Sequence, residues 1–469
     1  MSLEQLPSEI LSEIFGYLTY RDGYLYESRG YSSLCALART CRRFSDIATT
    51  IFYTHLTLDV NWVDTQDHIR TCSLNRCSDA NPSLVNRIDS AEIDWDYVDL
   101  ESCNKLVSHL AKSTTLTKLT CILHRARWEA LPALYDYASG SFPCLRHLTV
   151  ELIEFNNYWD YLPVEQLEKL CQLPALESLT IRVPIGEPKT DVRPKMILTN
   201  LTHLDFDYRP VSFEALKSIL PRAPNLEYLH LSLPGYGQEF ERKMSDDMAI
   251  PGYELTGVLH SAHYGTLLAP VAGSLKELAL DGDNVLFTQH DGTTIDLSQF
   301  VNLYHLEVTA SVLFGPHDTA ACCPWPRDVR KALPPHLEAL HLTFDGDQGM
   351  FWSVEQMRKH QSSQTFDELW ALRLENHHVD WLVELLHRNS VKKYPLKTVT
   401  ISEQPVIDRN QSWKVVIWYG TDYLQTVAGE AEVDVSIRLL VPRDFESPEV
   451  EVWEESPAFG RTGTYPPSA

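Results

Sequence analysis

The chain has little positive charge. Against 64 aspartates and glutamates stand 40 lysines and arginines, a formal net charge of −24. A protein that neutralises phosphates needs the opposite balance, so nucleic acid is excluded as a principal partner. An anionic membrane surface would repel the chain as well. No apolar run approaches the ~20 residues that span a bilayer, and the opening Met-Ser-Leu-Glu lacks the basic and apolar regions of a signal peptide. The ten cysteines are scattered and mostly single within apolar patterns, as in a reducing cytoplasm or nucleus. Asn200 and Asn410 head glycosylation tripeptides, which without a secretory route are expected to stay bare.

Chemistry is scarce too. The sequence holds no phosphate-cradling glycine loop, no Gly-x-Ser-x-Gly elbow, no His-Glu-x-x-His and no kinase signature. His68, Cys72, Cys77 and Cys103 fit no zinc spacing. His377-His378 have no companion at ligand spacing. The expectation is a protein without catalysis, metal or cofactor. An apolar share of 44% and a charged share of 22% are those of an ordinary folded chain.

What is present begins at Leu6-Pro7-Ser8-Glu9-Ile10-Leu11. Proline suits the first helical position, and a glutamate in the first turn complements the helix dipole. Leu6, Ile10, Leu11, Ile14, Phe15 and Leu18 recur at helical spacing and form a broad apolar stripe. A second helical pattern is predicted from an N-cap at Ser33 through Leu34, Leu37, Ala38, Cys41 and Ile47-Ala48. It encloses Cys41-Arg42-Arg43-Phe44, and Ile51-Phe52-Tyr53 closes the unit. Periodicity by itself is equally compatible with the core faces of any small helical bundle.

In their order these pieces resemble an F-box, over residues 4–55. Thr19 to Ser32 is longer than the usual link between the first two helices. The resemblance implies a surface for a Skp-family adaptor, formed by Leu6, Pro7, Ile10, Leu11, Ile14 and Leu18, and through that adaptor a cullin-RING ligase.

From residue 116 a Leu-x-x-Leu-x-Leu signature recurs, as at Leu145/Leu148/Val150, Leu176/Leu179/Ile181 and Leu337/Leu340/Leu342. Ten such units run from Leu116 to Ile401 in steps of 25 to 34 residues, with one step of 49 between Leu226 and Leu275. Leads such as Phe142-Pro-Cys-Leu145, Leu173-Pro-Ala-Leu176 and Ala223-Pro-Asn-Leu226 precede many of them, and helical stretches are predicted between, including 164–173 and 212–220. Each unit buries about three aliphatic side chains against its neighbours, at roughly 1.5–3 kcal/mol apiece. The pattern resembles a leucine-rich repeat, though it lacks the Asn or Cys that usually follows the strand.

The expected fold is therefore α/β: a helical F-box over residues 1–55, a linker and capping region over 56–115, and an irregular leucine-rich-repeat solenoid over 116–402 with a parallel β-sheet on its concave face. Capping strands over 403–442 and a disordered tail over 443–469 complete it. The long step is expected to eject Pro234 to Ile250 from the stack, followed by a helix from Tyr253 to about Leu268. A second excursion runs from Gly315 to Pro335. Alternation turns His147, Glu151, Arg182, His203, Asp205, Tyr228, His230, Glu277, His305, Glu307, His341 and Arg373 away from the core. These are the candidate contacts to a protein target, and their acidic excess suits a basic or donor-rich partner unless it only mirrors the whole chain.

As a whole the pattern resembles fungal-type F-box proteins with a leucine-rich-repeat region. That resemblance implies a cytoplasmic or nuclear substrate receptor of a ubiquitin ligase. The alternative is a repeat scaffold acting outside ubiquitination.

Overall fold

The computed structural model describes residues 6–17, 34, 36–60, 74–96, 100–124, 141–153, 162–183, 185, 197–211, 213–232, 258–259, 261–281, 289–290, 293–314, 329–344, 380–392, 395–403, 413–418, 422–442 and 450–452. It divides into two units, Met1–Asp205 and Phe206–Ala469.

The first unit opens with α1 (Ser8–Tyr17) and α2 (Arg42–Thr54). The second helical pattern does not run unbroken to Ala48. Thr40 donates from its N–H and its hydroxyl to the Leu37 carbonyl, which ends the turn. Cys41 then takes an extended conformation (φ −155°) and caps α2, its Sγ accepting from the Phe44 N–H at 3.5 Å. The cysteine stands where Ser, Thr or Asp usually do.

Six parallel strands follow in chain order: β1 (His55–Val60), β2 (Ser90–Asp96), β3 (Lys118–His124), β4 (His147–Ile153), β5 (Ser178–Arg182) and the start of β6 (His203–Pro210). The sheet thus begins at His55, two strands before the first full apolar signature. Register places Leu56, Ala91, Leu119, Leu148, Leu179 and Leu204 in one row, and Leu58, Ile93, Cys121, Val150 and Ile181 in the next. Every one of them is buried. The helices Leu100–Leu110 and Val164–Cys171 add Leu106, Val107, Leu110, Leu167 and Leu170 to this core.

The second unit repeats the design. β7 (Tyr228–Ser232), β9 (Glu277–Asp281), β11 (His305–Thr309), β12 (Ala339–Phe344), β13 (Thr398–Glu403) and β15 (Asp434–Pro442) lie parallel, and β14 (Trp413–Trp418) pairs antiparallel with β15. β8 (Val258–Leu259) and β10 (Gln289–His290) form a separate pair. β16 (Val450–Val452) joins β14, so the stretch expected to be disordered contributes a strand.

Two strand pairings join neighbours across long stretches of chain. β7 pairs with β9 across the 49-residue step. Within that step a helix spans Ser261–Leu268, shorter than the predicted one, and residues 234–250 lie outside the described residues. β12 pairs directly with β13, and the intervening signature Leu369/Leu372/Leu374 also lies outside the described residues.

A backbone ladder at the strand entries supplies the regularity that the spacing lacks. The carbonyl just before one strand accepts two N–H groups from the entry of the next. Thr117 O receives Arg146 and His147 at 2.8 and 2.9 Å, Arg146 O receives Glu177 and Ser178 at 2.9 Å each, and Tyr304 O receives Glu338 and Ala339 at 2.8 and 2.9 Å. The Pro-containing leads close i→i+3 turns, as from Leu145 N–H to Phe142 O and Leu226 N–H to Ala223 O. Asparagines bridge successive leads: Asn200 Nδ2 donates to Pro174 O at 2.7 Å and Asn302 Nδ2 to Gly273 O at 2.6 Å. Fixing the strand entry lets the connection behind it vary in length at small entropic cost.

Candidate partner-binding surfaces

In α1 the apolar stripe divides into two faces. Leu11 and Phe15 are buried with Leu34, Phe44 and Ala48, and Phe15 meets Phe44 edge to face at 5.3 Å. Arg43 Nη2 donates to Leu6 O at 2.6 Å and to Ser8 Oγ at 3.1 Å, fixing the start of the helix. On the other face Ile10 and Ile14 remain 41% and 37% exposed, with Pro7 exposed one turn earlier. Spacings of three and four place these three on one side of the helix.

Leu11, expected in the adaptor surface, is instead buried in the helical core. With no exposure in the free chain, its side chain packs in that core. Leu6 is partly buried against that same core, and Leu18 lies outside the described residues. The sequence could not separate Ile10 from Leu11, because both are large aliphatics only 100° apart around the helix.

On the polar face of the first unit, His147 and His203 are exposed while Glu151, Arg182 and Asp205 are partly covered. Register brings Glu151 opposite Arg182, and Arg182 Nη1 donates to Glu151 Oε2 at 3.1 Å. These two expected target contacts therefore neutralise each other. His203 Nδ1 lies 2.8 Å from Thr202 Oγ1.

The polar face of the second unit is more varied. Tyr228, Glu277 and His305 share one row, with His305 Nδ1 3.7 Å from Glu277 Oε1. His230, Ala279, Glu307 and His341 share the row two residues further on. There His341 Nδ1 lies 3.1 Å from Glu307 Oε1, and His341 Nε2 lies 2.9 Å from Ser402 Oγ on the next strand. Partial burial pushes the Glu307 pKa up. The hydrogen bond and charge of His341, with His230 and Arg438 beyond, outweigh it and hold the carboxyl below its ordinary 4.5. Glu307 is thus ionised at neutral pH. Arg373 lies outside the described residues.

Sequence reasoning missed the link from His341 to Ser402. Among the described residues no group of three or more His, Cys, Asp or Glu is placed to hold a metal, and no helix is long and apolar enough to cross a membrane.

A comparison with curated proteins finds no match. Residues 3–59 match the F-box-like family, and the exposed isoleucines of α1 fall inside that match. The N-terminal segment is an F-box-like domain, of the kind that typically binds Skp-family adaptors in cullin-RING ligases.

Proposed function

We propose that the chain is the substrate-recognition subunit of a Skp–cullin–F-box ubiquitin ligase. The observation that carries this reading is the exposed Ile10/Ile14 pair within the F-box-like match. Two half-exposed isoleucines on one helix face gain the hydrophobic contribution of burial only when a partner covers them. The parallel strands, read as a leucine-rich-repeat-type solenoid, present their polar side chains on the concave face and hold a target protein there. The chain performs no bond chemistry in this reading. It raises the effective concentration of target lysines near the ubiquitin-loaded enzyme. Its place is the cytoplasm or nucleus, where the thiols stay reduced.

A second reading keeps the strands as a binding scaffold without delivery to a ligase; the second unit's varied polar face would serve either. Reconstitution separates the two. The full chain is co-expressed with a Skp-family adaptor and cullin, and proximity labelling compares neighbours with residues 1–55 present and deleted. Adaptor and cullin in one complex, with target turnover that depends on residues 1–55, supports the ligase reading. Unchanged partner capture without any adaptor or cullin supports the scaffold.

A further inference from the structure

On the polar face of the first unit, an acid-free patch interrupts the acidic excess of the chain. β3, β4 and β5 lie side by side. Register sets Lys118, His147 and Ser178 in one row, and Thr120, Thr149 and Thr180 in the row two residues further on. Alternation with the buried rows turns all six to the polar face. Lys118 and His147 are exposed, and the other four are partly exposed. Each of the six side chains can donate a hydrogen bond, and none is a carboxylate. Among the described residues, none of the six side chains has a hydrogen bond or an ion pair. From the spacing of strands and residues the patch measures about 10 by 7 Å.

The acids at both ends of these strands are already matched. At the strand entries Arg146 Nη1 stands 3.6 Å from Glu177 Oε1. One row past the threonines, Arg182 Nη1 meets Glu151 Oε2 at 3.1 Å. Sideways the patch is bounded by Glu92, the exposed register partner of Thr120 on β2, and by Asp205, the partner of Thr180 on β6. Lys118 is the one lysine, arginine or carboxylate among the six, and its ammonium is left without a counter-charge within ion-pair distance. Water satisfies hydroxyl groups singly. What selects a ligand here is a cation set among donors in register, with no acid of its own.

We infer that this patch on β3–β5 receives an aspartate or glutamate of a target protein, its carboxylate held by Lys118 and by donors of His147 and Thr149 on the middle strand. The inference deepens the proposed target-binding role of the strands and rests on it. One lysine balances one carboxylate, and a charge-assisted hydrogen bond is stronger than a neutral one. A phosphoryl group would bring nearly a second negative charge, with no second cation in the patch to meet it, to a chain that already carries −24. A basic side chain would meet Lys118 at close range, and an apolar one would cover six donors without pairing them.

The test selects displayed random peptides of about twelve residues against the full chain, with Lys118→Glu as the counter-selecting protein. Enriched peptides are synthesised, and fluorescence anisotropy reads their affinity for the wild type, Lys118→Gln and Thr149→Val. None of these substitutions enters a buried row, so the melting temperature should stay at that of the wild type. The expected result is a shared aspartate or glutamate. Binding should weaken about tenfold on Lys118→Gln, about threefold on Thr149→Val, and about tenfold when that acid is replaced by its amide. A library that yields no binder, peptides without a shared acid, or equal affinity for all three proteins would overturn the inference. So would tighter binding once the acid is exchanged for phosphoserine. Adaptor binding is scored separately: its loss with the peptide result intact removes the ligase reading and leaves the patch.

Discussion

The N-terminal helices and the strands use the same aliphatic residues to different ends. In the strands both inward rows are buried, from Leu56 and Leu58 through Leu204 in the first unit and from Leu229 and Leu231 through Ile437 in the second. Nothing apolar from these rows is left over, and what faces outward is mostly polar, with Tyr228, Ala279 and Ile122 among Thr, Ser, His, Glu, Asp, Lys and Arg. In α1 the division falls within one stripe, with Leu11 and Phe15 at 0% and 1% exposure and Ile10 and Ile14 at 41% and 37%. A surplus of apolar side chains marks a surface that a partner completes, whereas a complete core with a polar face marks a surface that selects by charge and hydrogen bonds.

The sharpest break of this comparison lies in the strands. Leu204→Asp places an unpaired charge in a fully buried row and should cost several kcal/mol, enough to loosen the sheet of the first unit. Asp205→Asn, one residue on and facing the other way, should shift thermal stability far less. Equal melting temperatures would remove the assignment of faces. Next in size is the helical unit, where Leu11→Ala should cost about 2–5 kcal/mol because it empties a packed site. Ile14→Ala, a comparable deletion on the exposed face, should cost well under half of that by denaturant unfolding.

Smaller effects sharpen the account of the strand entries. Asn302→Ala removes a side-chain bridge between successive leads and should lower stability by about 0.5–1 kcal/mol, since the group is exposed and water replaces the bond. A larger loss would mean that the asparagines, and not the backbone ladder, set the spacing of units. The smallest effect concerns pH. Glu307 has a lowered pKa in the folded chain, so its contribution is present above its ordinary value of 4.5 and fades as pH falls through the lower folded value. Glu307→Gln should therefore flatten the loss of stability on acidification below pH 4.5 and leave the shape of the profile at neutral pH unchanged.

Much of this was legible because side-chain period and backbone period agree. Leu148/Val150, Leu179/Ile181 and Leu340/Leu342 are strands as their spacing predicts, and the Pro-containing leads close the turns before them. β1 and β2 were harder to read as members of the same sheet. Ala91 is a weak hydrophobe in an inward position, and Ile88 rather than leucine leads that unit. The cap at Cys41 escaped notice because cysteine rarely accepts at a helix start. The candidate surfaces were less legible than the fold. A sequence shows which residues can point outward, but not that Glu151 meets Arg182 or that His341 reaches Ser402. Those pairings depend on register between units about thirty residues or more apart, and nothing local encodes it.

The central claim is that the exposed face of α1, and not its buried face, meets the adaptor. Its most direct test is the affinity of the full chain carrying Ile10→Asp and Ile14→Asp together for a purified Skp-family adaptor, measured by isothermal titration beside a thermal melt. The account predicts that binding falls below detection while the melting temperature stays at that of the wild type, because both side chains already face solvent. Wild-type affinity in the folded double variant would contradict it.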